Sequence, residues 1–152
     1  MSRLLTVGAG LTFVTLIASV IVPDYRDAVR RSSQKRTMAD MRSIAMAWEA
    51  RASDVHSYAV GPPRRHVTTT DLARALEPKY IRNLPRVDGW GTEFQFSAGD
   101  YDAEGRADTY IIRSLGSDRR NDRSDASGPT GNFASDIIYS NGSFVQYPEE
   151  AG

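Results

Sequence analysis

The chain has no cysteine. Disulfides, zinc-finger ligand sets and thiol catalysis are excluded at once, although this leaves the compartment undecided. Net charge is missing too: nineteen Lys and Arg balance nineteen Asp and Glu, so no global field draws the chain toward nucleic acid. Histidine is scarce. His56 and His66 flank a Pro-rich loop, in neither a zinc spacing nor a catalytic triad pattern. No glycine-rich loop suited to cradling phosphate occurs. Composition is otherwise ordinary, with 40% hydrophobic and 25% charged residues, which argues against disorder. At 152 residues the chain has room for one compact domain, and its residues point away from an enzyme.

The neutral total conceals an asymmetry. Residues 1–87 carry fourteen Lys/Arg against seven Asp/Glu, and residues 88–152 carry five against twelve. Opposite ends of two copies can attract each other, the acidic end can serve a metal, or both are solvated faces. One long apolar run is present: Leu4 to Val22, nineteen residues without a charge, close to the ~20 that span a bilayer. It exceeds the core of a secretory signal and ends in no small-x-small site, so a membrane anchor is expected. The basic residues Arg26, Arg30, Arg31, Lys35 and Arg36 follow it, and by flanking charge alone the head belongs in the cytoplasm.

Beyond Pro23, apolar or small residues recur at Tyr25, Ala28, Val29, Ser32, Met38, Met41, Ile44, Ala45, Trp48, Ala52 and Val55. Steps of three and four mark one face of an α-helix, so a helix is expected from about Leu4 to about Val55, kinked rather than ended at Pro23. Its second half needs a cover. Thr70 and the following Asp71–Leu76 read as a capped short helix stopped by Pro78. Strands are expected at Glu93–Ser97, Thr109–Ser114, Asp136–Ser140 and Ser143–Tyr147, the last two flanking an Asn141-Gly142 hairpin turn. Phe94, Phe96, Ile112, Ile138 and Val145 are the candidates to face the helix. The expected fold class is α+β: a long N-terminal helix, transmembrane in its first half and amphipathic in its second, packed on a small antiparallel sheet. Residues 1–56 form the helix and 57–152 the head.

The ordered segments Leu76-Glu77-Pro78-Lys79-Tyr80-Ile81, Leu84-Pro85 and Asp88-Gly89-Trp90-Gly91 resemble the major pseudopilins of type II secretion systems. Thr109–Asp118, Phe133–Ile138 and Ile21-Val22-Pro23-Asp24-Tyr25 are similar to further stretches of that type IV pilin-like family. No acid precedes Asp24, whereas family members carry one near the mature start. The resemblance implies a structural subunit of a pseudopilus or related filament supporting protein export, single-pass in the bacterial inner membrane with its head in the periplasm or outside the cell. Its implied partners are other copies, related pseudopilins, the inner-membrane secretion machinery and the membrane, with no nucleic acid. The alternative is a single-copy, membrane-anchored initiating or tip subunit or binding module.

Two acidic clusters raise the question of calcium. Asp100, Asp102, Glu104-Gly105 and Asp108 match the start of an EF-hand-type loop, but Ile111 stands where the bidentate glutamate belongs, so a solvated hairpin tip is expected. The second runs from Leu115 through Asp118, Asp122 and Asp125 to Asp136. A connection this long in a compact domain gains from a clamp of oxygen ligands at its two ends. The family resemblance implies a structural calcium ion held by Asp118 and Asp136, with Leu115 and Ser117 as carbonyl donors.

Overall fold

A computed structural model describes residues 2–63, 66–122 and 128–149, with side chains from Tyr25 onward. The chain forms two compact units, Met1–Ser32 and Ser33–Gly152. Helix α1 (Ser2–Val55) spans 54 residues and supplies both. Within the second unit, α1 packs on a six-stranded sheet together with a short helix, α2 (Thr69–Leu76). The strands are β1 (His66–Val67), β2 (Gln95–Tyr101), β3 (Ala107–Ser114), β4 (Gly128–Thr130), β5 (Ile137–Ser140) and β6 (Ser143–Pro148), in the order β1-β2-β3-β5-β6-β4.

The expected membrane anchor requires correction. Among the described residues no helix is long and apolar enough to cross a membrane. The physical reason is charge: from Tyr25 onward α1 carries Arg26, Asp27, Arg30, Arg31, Lys35, Arg36, Asp40, Arg42, Glu49 and Arg51, at least one ionised group in each turn or two. The run Leu4–Val22 lies among residues whose side chains are outside the description. The transmembrane half of the fold class falls on this finding. With it fall the pseudopilus subunit and its membrane-anchored alternative, the membrane and inner-membrane partners, and the single-pass inner-membrane localisation.

The second half of α1 buries Met41, Ile44, Ala45, Trp48 and Ala52, all from the stripe read in the sequence. Val55 at its end and Tyr25 and Val29 near its start are exposed instead. Two polar residues complete the buried face. Gln34 donates to the Pro148 carbonyl at 2.7 Å, tying the end of β6 to the helix. Thr37 donates to Ser33 O and accepts from Gly89 N at 2.8 Å. Burial is tolerated because both side chains find partners.

Trp48 lies fully buried against Tyr110 of β3, ring centroids 5.2 Å apart, and against Phe96 of β2 at 6.2 Å. Its indole N–H donates to Tyr58 O. The segment after α1 is stitched into the same seam: Tyr58 N–H donates to Ala107 O, and Ser57 Oγ accepts from Ala107 N. Helix α2 begins two residues earlier than the sequence reading placed it. Thr68 caps it by accepting from Asp71 N and donating to the Asp71 carboxylate, a reciprocal cap of the kind that fixes a helix start. Leu72, Ala73 and Leu76 then face the core.

The sheet is mixed, not purely antiparallel, because β4 runs parallel to β6. β1 and β4, which the sequence reading passed over, are its two edge strands. Phe94, Phe96 and Ile112 are buried as expected, but Val145 is exposed and Ile138 only half-buried. Ile137, Tyr139 and Gln146 point inward in their place. Side chains alternate with period two, so a choice displaced by one residue turns every side chain to the wrong face. A register shift between Ile138 and Tyr139 adds to the difficulty.

Trp48→Ala should destabilise the chain by about 3–5 kcal/mol, read from the midpoint of denaturant unfolding. Gly89→Ala should also be costly, because a Cβ there would sit 2.1 Å from the Ser33 carbonyl oxygen of α1. Gly91→Ala meets no atom within 4 Å and bears only the strain of its positive φ, so it should cost clearly less than Gly89→Ala in the same assay.

Candidate metal site in the acidic loop

β3 leaves the sheet at Ser114, whose buried hydroxyl donates to Asp88 Oδ2 at 2.6 Å. The other Asp88 oxygen accepts from Trp90 N and Thr92 N, so this buried carboxylate is fully occupied in holding the Asp88–Thr92 turn to β3. The chain then turns at Gly116, with φ of +64°. A Cβ on Gly116 would lie 2.6 Å from Ser135 O and 2.7 Å from Ala134 O. The start of the long loop is thus pressed against its end, a closeness that only glycine permits. Ser117 N–H donates to Phe133 O at 3.0 Å and closes the same contact.

Asp136 stands at the returning end, immediately before β5, and is completely buried. Neither of its carboxylate oxygens has a hydrogen-bond partner among the described residues. The Arg113 guanidinium approaches one of them at 3.7 Å, an ion-pair distance too long for a hydrogen bond, and gives its Nη1 hydrogen bond to Asn121 Oδ1 at 2.9 Å. Asp122 accepts from the Asp136 main-chain N–H at 3.3 Å. Burial pushes the Asp136 carboxyl up to about 6, and the negative charges of Asp122 and Asp118 push the same way. The Asp122 main-chain N–H and the charge of Arg113 pull downward, neither close or well aligned enough to satisfy a carboxylate oxygen. A carboxylate left this way is costly: burying a charge without hydrogen bonds to it is opposed by several kcal/mol.

The sequence-derived ligands are therefore placed as follows. Asp136 is buried at the centre, Asp118 is exposed with its Oδ1 accepting from Arg120 N, and both ends of the loop meet through Gly116 and Ser117. Leu115 is half-buried beside an open groove shared with His66–Thr70 and Thr92–Gln95. Asp122, which has no counterpart in the family pattern, is the carboxylate brought to Asp136. Its only sequence signal was position inside an acidic loop. Asp125 lies outside the described residues. Among the described residues no group of three or more His, Cys, Asp or Glu side chains is arranged to hold a metal ion. Any cation here must draw on main-chain oxygens as well, as calcium does.

The other acidic cluster is a self-satisfied turn. Asp102 accepts from Glu104 N, Arg106 N and Arg106 Nε, and the Arg106 bonds hold its carboxyl below the usual carboxylate range. It has no oxygen left wanting a partner, unlike Asp136.

No family model, curated protein or solved structure matches the chain. Gly116→Ala should destabilise the chain by at least about 1–3 kcal/mol, the usual cost of forcing extra atoms into a packed contact, measured by chemical denaturation.

Proposed function

We propose that this chain is a pilin-like, non-catalytic structural module whose long acidic loop is closed on the sheet by a calcium ion. One observation carries the reading: the buried, hydrogen-bond-free carboxylate of Asp136 at the point where both ends of the loop converge. Asp136 with Asp118 would hold the ion, Asp122 would stand close enough to add charge, and main-chain oxygens of Leu115 and Ser117 would complete a hard-oxygen set. Bound calcium supplies positive charge that repays the burial of Asp136 and links the exit of β3 to the entry of β5. The role is architectural: the ion fixes a loop, and the residues around it hold that loop in register with the core.

The test is thermal unfolding of the full-length chain with calcium and with EDTA. An ion bound only by the folded state adds about 2.7 kcal/mol at a hundredfold excess over Kd, which corresponds to several degrees in Tm for a domain of about a hundred residues. Asp136→Ala and Asp118→Ala should abolish the increment, whereas Asp102→Ala should leave it intact. Equal Tm values with calcium and EDTA would sink the proposal and leave the loop held by its protein contacts, such as Ser117 N–H to Phe133 O.

A further inference from the structure

The hairpin turn between β5 and β6 is gripped by one residue of β3. Tyr110 N–H donates to Asn141 Oδ1 at 3.1 Å, Tyr110 O accepts from Ser140 Oγ at 2.8 Å, and Tyr110 Oη accepts from Gly142 N–H at 3.3 Å. The same hydroxyl donates to Glu49 of α1. The ring itself is fully buried between Trp48 and Tyr58, at centroid distances of 5.2 and 4.7 Å. Three polar atoms of a core-anchored side chain and backbone thus hold three consecutive turn residues. Asn141 and Gly142, with φ of 46° and 89°, are exposed to water beyond that grip.

Asparagine followed by glycine is chemically labile. The main-chain nitrogen of the glycine, unshielded by a Cβ, attacks the asparagine Cγ; the Cγ–N bond forms, the Cγ–Nδ2 bond breaks, and nitrogen leaves as ammonia. Water then opens the five-membered succinimide at either carbonyl, giving aspartate or isoaspartate. No oxidant or other reactant is needed. Two things must happen first: Gly142 N must give up its proton, and the Asn141 amide must rotate so that Cγ faces that nitrogen. Tyr110 holds both groups, the N–H through its hydroxyl and Oδ1 through its own N–H.

We propose that Asn141–Gly142 is a self-modification site gated by Tyr110, closed while the turn is docked on β3 and opened when the hairpin leaves it. The Tyr110 hydroxyl is a poor base for starting the reaction, since burial and the Glu49 carboxylate strongly raise its pKa. Conversion is one-way in its consequences. The isoaspartyl product adds a carbon to the main chain of a two-residue turn, whose register depends on its length. Either product also places a new carboxylate at residue 141, next to Gly142, whose N–H bonds the same Tyr110 hydroxyl that donates to Glu49. The opened hairpin therefore does not close in its original form, and the modification records past undocking of the hairpin from β3.

The experiment incubates full-length protein at mildly alkaline pH and follows Asn141 by peptide mass spectrometry with isoaspartate detection. Native chain should convert much more slowly than chain held in denaturant. Tyr110→Phe, which keeps the ring but loses the hydroxyl, should convert about fivefold faster than native wild type, the worth of one ordinary hydrogen bond. Wild type in a series of sub-denaturing urea concentrations gives a second measure: conversion should rise in step with hydrogen exchange of the Gly142 amide. Native conversion as fast as denatured, or a folded Tyr110→Phe no faster than wild type, overturns the gate. If Tyr110→Phe does not fold, the urea series decides, and conversion independent of Gly142 exchange overturns it.

Discussion

The packing of Trp48 on Tyr110 is the contact on which the rest of the second unit depends. α1 presents an apolar stripe that water opposes, and β3 is the interior strand that covers it. The pair brings two large aromatic side chains to full burial, and each also discharges its polar atom: the indole to Tyr58 O, the phenol to Glu49. Aromatic rings are accepted in a core on that condition. Because Tyr110 also grips the β5–β6 turn, the helix, the sheet and the hairpin are joined through one residue.

Around this seam the buried polar groups divide into two kinds. Gln34, Thr37, Asp88 and Ser114 are buried and satisfied, each bonding a different segment to its neighbour. Asp88 serves three donors at once and makes the turn after α2 part of the core. Asp136 is equally buried and serves none through its side chain. Beside Asp88, so fully satisfied, Asp136 stands apart among the described buried carboxylates. The contrast with Asp102, half-buried near a hairpin tip and already bonded to Arg106, separates two acidic clusters that look alike as text.

Charge decides how α1 is read within the second unit. There Lys35, Arg36 and Arg42 are exposed, on the side of the helix away from the buried Trp48 stripe. Arg42 illustrates the point: exposed on α1, it lies over the Phe144 ring at 5.0 Å and covers aromatic surface while keeping its charge in water.

The sequence by itself determined the local features, those set by neighbours along the chain. The three-and-four spacing of Met41, Ile44, Ala45, Trp48 and Ala52 marked the buried helix face, Asn141-Gly142 marked a hairpin, and Thr109–Ser114 marked most of β3. The α2 start was misplaced by two residues because Thr68, Thr69 and Thr70 are all plausible caps, and only the reach of Thr68 to Asp71 selects among them. What tertiary structure decided was everything set by distance in sequence. The inward faces of β5 and β6 depend on a register that a bulge shifts, and β4 depends on a parallel pairing with no local signal. Asp118 and Asp136 were legible as the ends of an acidic loop, but Asp122 was not, since its place beside Asp136 is fixed by the fold of the loop. Nor could the sequence distinguish a satisfied aspartate from an orphaned one, because burial and hydrogen bonding are properties of what surrounds a side chain, and those surroundings come together only when the chain folds.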